Sequence, residues 1–358
     1  LTPRTVALVT GTRAEWGLLR TVAHAVEAHP RLTLRLIAAG THLITGSRVD
    51  LDLPVAAEVP MQRAGEVGRG ADAAALGRGV SGFAAAFARL NPCFVVVLGD
   101  RIEAFAAAAA ASVAGHRVAH LHGGDRAEGV ADEAMRHAIT KLAHVHLPAT
   151  ATSRRRVLAL GEPEAAVHVV GSPAVDGLDA IPAAAEGPEV VVLQHPVGGT
   201  DAQEERRMAA TLGATAGLRR VVLLPNHDPG RAGVAAAIAR HADPAEVVEH
   251  LPRPAFIGLL KRARLLVGNS SAGLIEAAAC RCAAVDVGPR QAGRERPAHA
   301  RHADHAEAAI REAMAHARAF DFNGFAHPYG DGRTGGRVAD LLADVPLHRI
   351  PLRKHCTF

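Results

Sequence analysis

Residues 93–125, CFVVVLGDRIEAFAAAAAASVAGHRVAHLHGGD, hold the pattern on which the fold turns. An apolar run, FVVVL, ends at Gly-Asp, and an alanine-rich stretch of helical length follows it. A second apolar run, RVAHL, then ends at HGGD. A continuous apolar strand, a helix and another such strand form a βαβ unit, whose strands lie parallel and buried on both faces. High alanine content makes the helices weak signals by themselves, so the alternation carries the argument.

The same alternation runs outward in both directions. Upstream lie TVALVTG, AEWGLLRTVAHAVEAH, LTLRLIAAG and ADAAALGRGVSGFAAAFARL. Downstream, the Pro/Ala/Gly-rich AIPAAAEGPE (180–189) reads as a linker, after which the pattern restarts with VVVLQHP, AQEERRMAATLGATAG, RRVVLLPNHDPG, GVAAAIARHA, EVVEHL, FIGLLKRARLLVGNSS and AAVDVG. At 358 residues the chain exceeds the roughly 250–300 at which one core stops growing. The expectation is α/β, with two Rossmann-like doubly wound parallel-sheet domains, residues 1–178 and 179–340, facing a cleft.

Composition narrows the partners. Apolar residues make up 49% and charged residues 21%, as in a soluble globular protein. The net charge of +4 is spread along the chain, with one small cluster, SRRR, at 153–156, and only 3% of residues are aromatic. Nucleic acid is therefore not an expected partner, whereas a small anion is. Cys93, Cys280, Cys282 and Cys356 show no CxxC pairing, which supports neither zinc nor a disulfide framework. No run approaches the roughly 18 apolar residues of a membrane span, and the first apolar run is shorter than a signal h-region. A cytoplasmic, membrane-free protein is expected.

In open α/β sheets ligands sit beyond the carboxyl ends of strands, and the loops there are consistently polar. In VTGTRAEWG, Gly11 and Thr12 open a helix whose free N–H groups, with Arg13, suit an anion; a plain turn is the bland alternative. The absence of GxGxxG disfavours a nicotinamide site. In VGNSSAGLIEAAA, Gly268 to Ser271 are expected to open a helix suited to phosphate, and Glu276 one turn later to hold ribose hydroxyls. Simple capping by Ser270 or Ser271 is compatible with this. GPRQAGRERP adds Arg290, Arg294 and Arg296, so this end of the second domain suits a nucleoside diphosphate.

HLHGGDRAEGVADEAMRH, 120–137, is expected to face the other side of the cleft. From Asp132 onward it reads as a helix with Met135, Ala138, Ile139 and Leu142 on an apolar face and Glu133, Arg136, His137 and Thr140 opposite. Asp100 and Asp125, at neighbouring strand ends, add carboxylates, and converging carboxylates are how general acids and bases arise. A metal is the competing reading, because His120/His122 and His144/His146 recur at strand spacing. Without HExxH or a PCxxC partner, no metal is expected.

Taken together, GTRAEWGLL, GTHL, LGDRIE, HLHGGDRAEGVADEAMRHAITKLAH, VVLQHP, LPNHDPG, GNSSAGLIEA, RQAGRERP and PYGDGRTGGRVADLL resemble the UDP-N-acetylglucosamine 2-epimerase family. RHAITKLAH and GNSS with RQAGRER point to its hydrolysing branch. The resemblance implies a glycosyltransferase-B-like fold binding UDP mainly through the second domain, with residues 341–358 packing back on the first. It implies anti elimination of UDP through a 2-acetamidoglucal, hydration to the free 2-epimer, no cofactor, and a homodimer. The substrate would be a UDP-sugar, UDP-N-acetylglucosamine or a relative such as UDP-diacetylbacillosamine. Asp100, Asp125, Asp132, Glu133 and His195 fall on the catalytic positions. Arg13, His42, His227, Phe256, Ser270, Ser271, Glu276 and Arg290 fall on positions around UDP. The chain departs from the family in carrying Asp125 where Glu is usual, and an Asp132–Glu133 pair in place of two like acids. A non-hydrolysing epimerase, a glycosyltransferase and a degenerate UDP-sugar-binding protein are the alternatives.

Overall fold

The structure, a computed structural model, describes residues 2–44, 50–66, 68–126, 133–226, 228–354 and 357. The chain divides into two compact units. One comprises Leu1–Asp125, Asp132–Asp176 and Tyr329–Phe358; the other comprises Arg126–Ala131 and Gly177–Pro328.

The first unit carries strands β1 (Arg4–Thr10), β2 (Leu32–Ala39), β3 (Val55–Val59), β4 (Phe94–Leu98), β5 (Arg117–Leu121) and β6 (Val145–Leu147). Its helices are α1 (Arg13–Ala28), α2 (Arg69–Leu90), α3 (Ile102–Ala114), α4 (Glu133–Leu142) and α5 (Ala151–Ala159). The strands are parallel, in the order β3-β2-β1-β4-β5-β6. Period-2 alternation puts Val6 and Leu8 into one core with Trp16, Leu19 and Val22 of α1. It puts Ala7 and Val9 into the other, with Phe83 and Phe87 of α2. FVVVL of β4 divides likewise, Phe94 and Val96 into the first core and Val95 and Val97 into the second. The edge strand β3 escapes the apolar pattern because its outward residues, such as Glu58, are exposed.

The second unit repeats the plan with β7 (Val190–Leu193), β8 (Arg220–Leu223), β9 (Val247–Val248), β10 (Leu265–Gly268), β11 (Ala283–Val287) and β12 (Ala300–Ala303). Its helices are α6 (Asp201–Ala214), α7 (Arg231–His241), α8 (Arg253–Leu260), α9 (Glu276–Ala279) and α10 (Glu307–Arg318). The sheet order is β12-β11-β10-β7-β8-β9, which is the order of the first sheet with strand numbers advanced by six. Each sheet therefore reverses its winding once, between β1 and β4 and between β7 and β10. The carboxyl ends of those pairs are where an open sheet leaves a crevice.

The last helix, α11 (Thr334–Asp344), belongs to the first unit and packs on α1. The chain returns at Tyr329 rather than at residue 341. The Asp176 carboxylate accepts the N–H groups of Thr334 (2.9 Å) and Gly335 (2.6 Å) at the start of α11, and Arg4 donates to Leu342 O and Val345 O at its end. Among the described residues no helix is long and apolar enough to cross a membrane.

Candidate active site

The carboxyl end of β1 runs into Thr12, whose hydroxyl accepts the Glu15 N–H (3.1 Å) and caps α1. Glu15 turns back under this loop and accepts the Gly11 N–H at 2.5 Å. It lies against the fully buried Glu103, which Gln62 (2.7 Å) and Arg101 (3.2 Å) hold. Burial pushes the Glu15 carboxyl up to about 8. Arg13 lies on the surface in an ion pair with Asp50 (2.6 Å), and His42 is closed off from solvent, its Nε2 3.1 Å from Thr10 Oγ1.

Across the winding reversal, β4 delivers Gly99 and Asp100. Arg136 of α4 forms an ion pair with Asp100, and its Nη1 donates to His122 O (3.3 Å). Thr140, one turn further on, bonds His120 Nδ1 (3.2 Å), and His120 Nε2–H donates to Gly99 O (2.8 Å). Burial holds His120 down to about 3, so the ring is neutral. The face of α4 that meets the sheet is thus Arg136, Ile139 and Thr140, while Met135, Ala138 and Leu142 are half-buried. This reverses the polarity expected for Arg136 and Thr140, because Asp100 and His120 supply partners that make their burial favourable. Glu133 opens α4 and lies 3.5 Å from His137. Asp132 lies outside the described residues.

His120 and His122 do not share a strand face, because β5 stops at Leu121 and His122 adopts φ +61°. A left-handed non-glycine residue costs roughly 1–3 kcal/mol, and both ring nitrogens are tied down there. Nδ1–H donates to Asp125 Oδ2 (2.8 Å), and Nε2 lies 2.9 Å from Ser172 Oγ. Asp125 Oδ1 accepts from Ser153 Oγ at 2.6 Å. The glycines of HGGD make this possible: a Cβ on Gly124, at φ +79°, would stand 2.2 Å from Ser153 O. Among the described residues no group of three His, Cys, Asp or Glu side chains is arranged to hold a metal.

In the second unit, Asn269 after β10 clamps His195 after β7. Its Oδ1 accepts His195 N–H (2.7 Å), and its Nδ2 donates to His195 O (2.8 Å). The Asn226 N–H donates to His195 Nδ1 (3.1 Å), which leaves the ring proton on Nε2. Burial first, and then the Arg290 guanidinium, hold this imidazole down to about 3. Arg290 also reaches Asp228 (3.7 Å). The helix expected from Gly268 is instead a 3-10 turn, Ser271–Gly273, followed by the four residues of α9. His299 and His327 fix it by donating to Gly273 O and Ile275 O, both at 2.9 Å. Ser270 caps the turn, and Glu276 pairs with Arg253 (3.0 Å) one turn ahead of Phe256 on α8. His227 lies outside the described residues. Arg136 and Ser153 are not among the residues that the sequence pattern singles out for the site, while Asn269 falls inside the Gly268–Ser271 stretch and His122 in the metal reading, neither for the contacts it makes. An amide directly after an apolar strand, in GNSS, is the one local signal among them.

Two parallel sheets of identical winding, each with its polar groups at the reversal point, define a glycosyltransferase-B-like α/β protein. The calicheamicin glycosyltransferase CalG4 shares this fold at a TM-score of 0.55, with 16% identity over 96% of this chain and 98% of that one. A UDP-N-acetylglucosamine 2-epimerase from Neisseria meningitidis, bound to UDP-GlcNAc, is similar at a TM-score of 0.79, with 16% identity over 94% and 99% of the two chains. The family model for UDP-N-acetylglucosamine 2-epimerase matches residues 24–343. The UDP-N,N'-diacetylbacillosamine 2-epimerase (hydrolyzing) of Legionella pneumophila is 33% identical over 98% of each chain. The chain belongs to the UDP-N-acetylglucosamine 2-epimerase family.

Proposed function

We propose that the protein is a hydrolysing UDP-2-acetamido-sugar 2-epimerase. The observation that carries this reading is the 33% identity, end to end, with a relative named as hydrolysing. Unit 2 binds UDP with the loops after β10 and β11, where Ser270, Ser271 and Arg290 stand, together with His227, Phe256 and Glu276. Arg13 and His42 belong to the loops after β1 and β2. The acids are those of unit 1: Asp100 at the end of β4 and Glu133 at the start of α4, with Asp132 before it in the sequence. In the elimination, a carboxylate takes the C2 proton, the C1–O bond breaks and UDP departs with the electron pair. In the hydration, water adds its oxygen to C1, and C2 receives a proton on the opposite face. UDP-sugar and water become UDP and the free 2-epimer. His195, neutral and carrying its proton on Nε2, is suited to donate a hydrogen bond to the departing diphosphate. Assembly as a homodimer goes with this reading, and light scattering checks it.

The test is NMR of the protein with UDP-N-acetylglucosamine and UDP-N,N'-diacetylbacillosamine in deuterated water. Release of UDP and a free 2-epimer with deuterium at C2 is expected. Product without deuterium refutes the elimination route, and UDP-linked epimer without free sugar makes the enzyme non-hydrolysing.

A further inference from the structure

Asp125 occupies a position where the resemblance expects an acid that meets the sugar, yet its surroundings are those of a structural acid. It is 2% exposed, and each carboxylate oxygen accepts a short hydrogen bond, one from Ser153 and one from His122. We propose that Asp125 is a positioning residue that acts on Asp100 through His122 and Arg136. The proposal rests on the reading that Asp100 serves the epimerase reaction.

The chain of contacts runs within unit 1. Asp125 and Ser172 hold the His122 ring by its two nitrogens, and this pins a backbone conformation that a side-chain-bearing residue rarely adopts. Ser172 Oγ accepts the Ala174 N–H (3.3 Å), so its own proton can meet His122 Nε2. The His122 carbonyl, aimed by that backbone, accepts from Arg136 at 3.3 Å, and Arg136 forms the ion pair with Asp100. Side-chain exposure is 2% at Asp125, 9% at His122, 5% at Arg136 and 17% at Asp100. The end of the chain that ligand can reach is therefore Asp100. Among the described residues, the charged or titratable groups beside this cluster include His120, whose ring lies against Gly123, and Arg156, which donates to Gly124 O (3.3 Å).

The short side chain at 125 then has a physical reason. Its partner is an imidazole three residues back, already at 2.8 Å, and the adjoining turn is closed by the Gly124–Ser153 contact, so a further methylene has nowhere to go.

The test compares kcat and KM for UDP release in wild type, Asp125→Asn, Asp125→Ala, Arg136→Met, the Asp125→Ala/Arg136→Met double variant and Asp100→Asn. Asparagine can still accept from His122 and donate to Ser153, so Asp125→Asn is expected to stay within about tenfold of wild type. Asp125→Ala and Arg136→Met should each lose about a hundredfold in kcat with KM little changed, and the double variant should be no worse than the poorer single. Asp125→Asn falling as low as Asp100→Asn, or losses that multiply in the double variant, would overturn the proposal. Ser153→Ala, about tenfold down, replaces Asp125→Ala if the latter does not fold. If wild type turns over no sugar, the parent reading fails separately. The melting temperatures of the same cycle then decide, with sub-additive losses expected and additive losses fatal.

Discussion

Replacing Glu15 by glutamine should remove a pH dependence that the wild-type first unit carries. In the folded protein the carboxyl titrates at about 8, and the causes are burial first and the neighbouring Glu103 charge among the lesser ones. In the unfolded chain it titrates near 4.5. The folded state therefore keeps a proton that the unfolded state has released, and stability falls as pH rises between those values. The contribution is complete below the unfolded value and is lost as pH climbs through the folded one. One group displaced this far changes stability by about 1.4 kcal/mol per pH unit, or about 3 kcal/mol between pH 5 and 8. Glutamine mimics the protonated acid: its carbonyl can accept the Gly11 N–H, and its amide does not ionise. The two proteins should thus be nearly equal in stability at pH 5, and Glu15→Gln should be the more stable by about 3 kcal/mol at pH 8. Trp16, the sole tryptophan, is buried beside Glu15 in α1, so its fluorescence during urea unfolding reports on this unit. A wild-type-to-variant difference that stays constant from pH 5 to 8 would show that Glu15 ionises like an exposed carboxylate, and the argument would fail.

Four further outcomes follow from the second unit. Asn269→Ala strands the half-buried N–H and C=O of His195, which should cost about 1–3 kcal/mol by urea unfolding; a loss under about 0.5 kcal/mol would mean the clamp is idle. Because His195 is held at about 3, well below an ordinary imidazole, the unfolded chain takes up a proton below pH 6.5 that the folded one refuses. Stability in this unit is therefore lost as pH falls from 6.5 toward 3. The same depression means that His195→Gln should lower kcat about a hundredfold without altering the shape of the kcat/KM pH profile above pH 5, and a limb near pH 6–7 that vanishes in the variant would contradict it. Gly268→Ala places a Cβ 2.0 Å from Leu193 O at φ +144°, and should destabilise by about 3 kcal/mol in a circular-dichroism melt; an unchanged melting temperature would refute the close approach.

The strand ends were readable because two local facts fix them. An apolar run stops, and in a doubly wound sheet the next residues stand at the crevice. Asp100 after FVVVL needs no more than that, whereas His195 after VVVL is singled out only through the family resemblance. The helix read from Gly268 failed because GNSSAG makes hydrogen bonds other than helical ones: Ser270 bonds back to Ala272, and His299 takes the Gly273 carbonyl. Edge strand β12, Ala300–Ala303, hid behind Arg301 and His302, whose exposure on an outer strand breaks the apolar signature.

The residues that hold the site were hidden for a different reason. Periodicity sorts side chains by polarity, and on that scale Arg136 and Thr140 belong to solvent. Their burial depends on Asp100 and His120, which are 36 and 20 residues away and reach them from β4 and β5. Glu15 shows the same effect: in the first turn of a helix it reads as an ordinary dipole-favouring acid. Burial, with the charge of Glu103, 88 positions on, as a lesser cause, turns it into a carboxyl that keeps its proton. The side chain at 125 extends the argument to reactivity. Against the family pattern an aspartate is an acid one methylene too short, but against His122 at 2.8 Å and Ser153 at 2.6 Å it has the length its partners require. Whether an acid is too short depends on the group it must reach, and at 125 those groups lie in the turn and in α5.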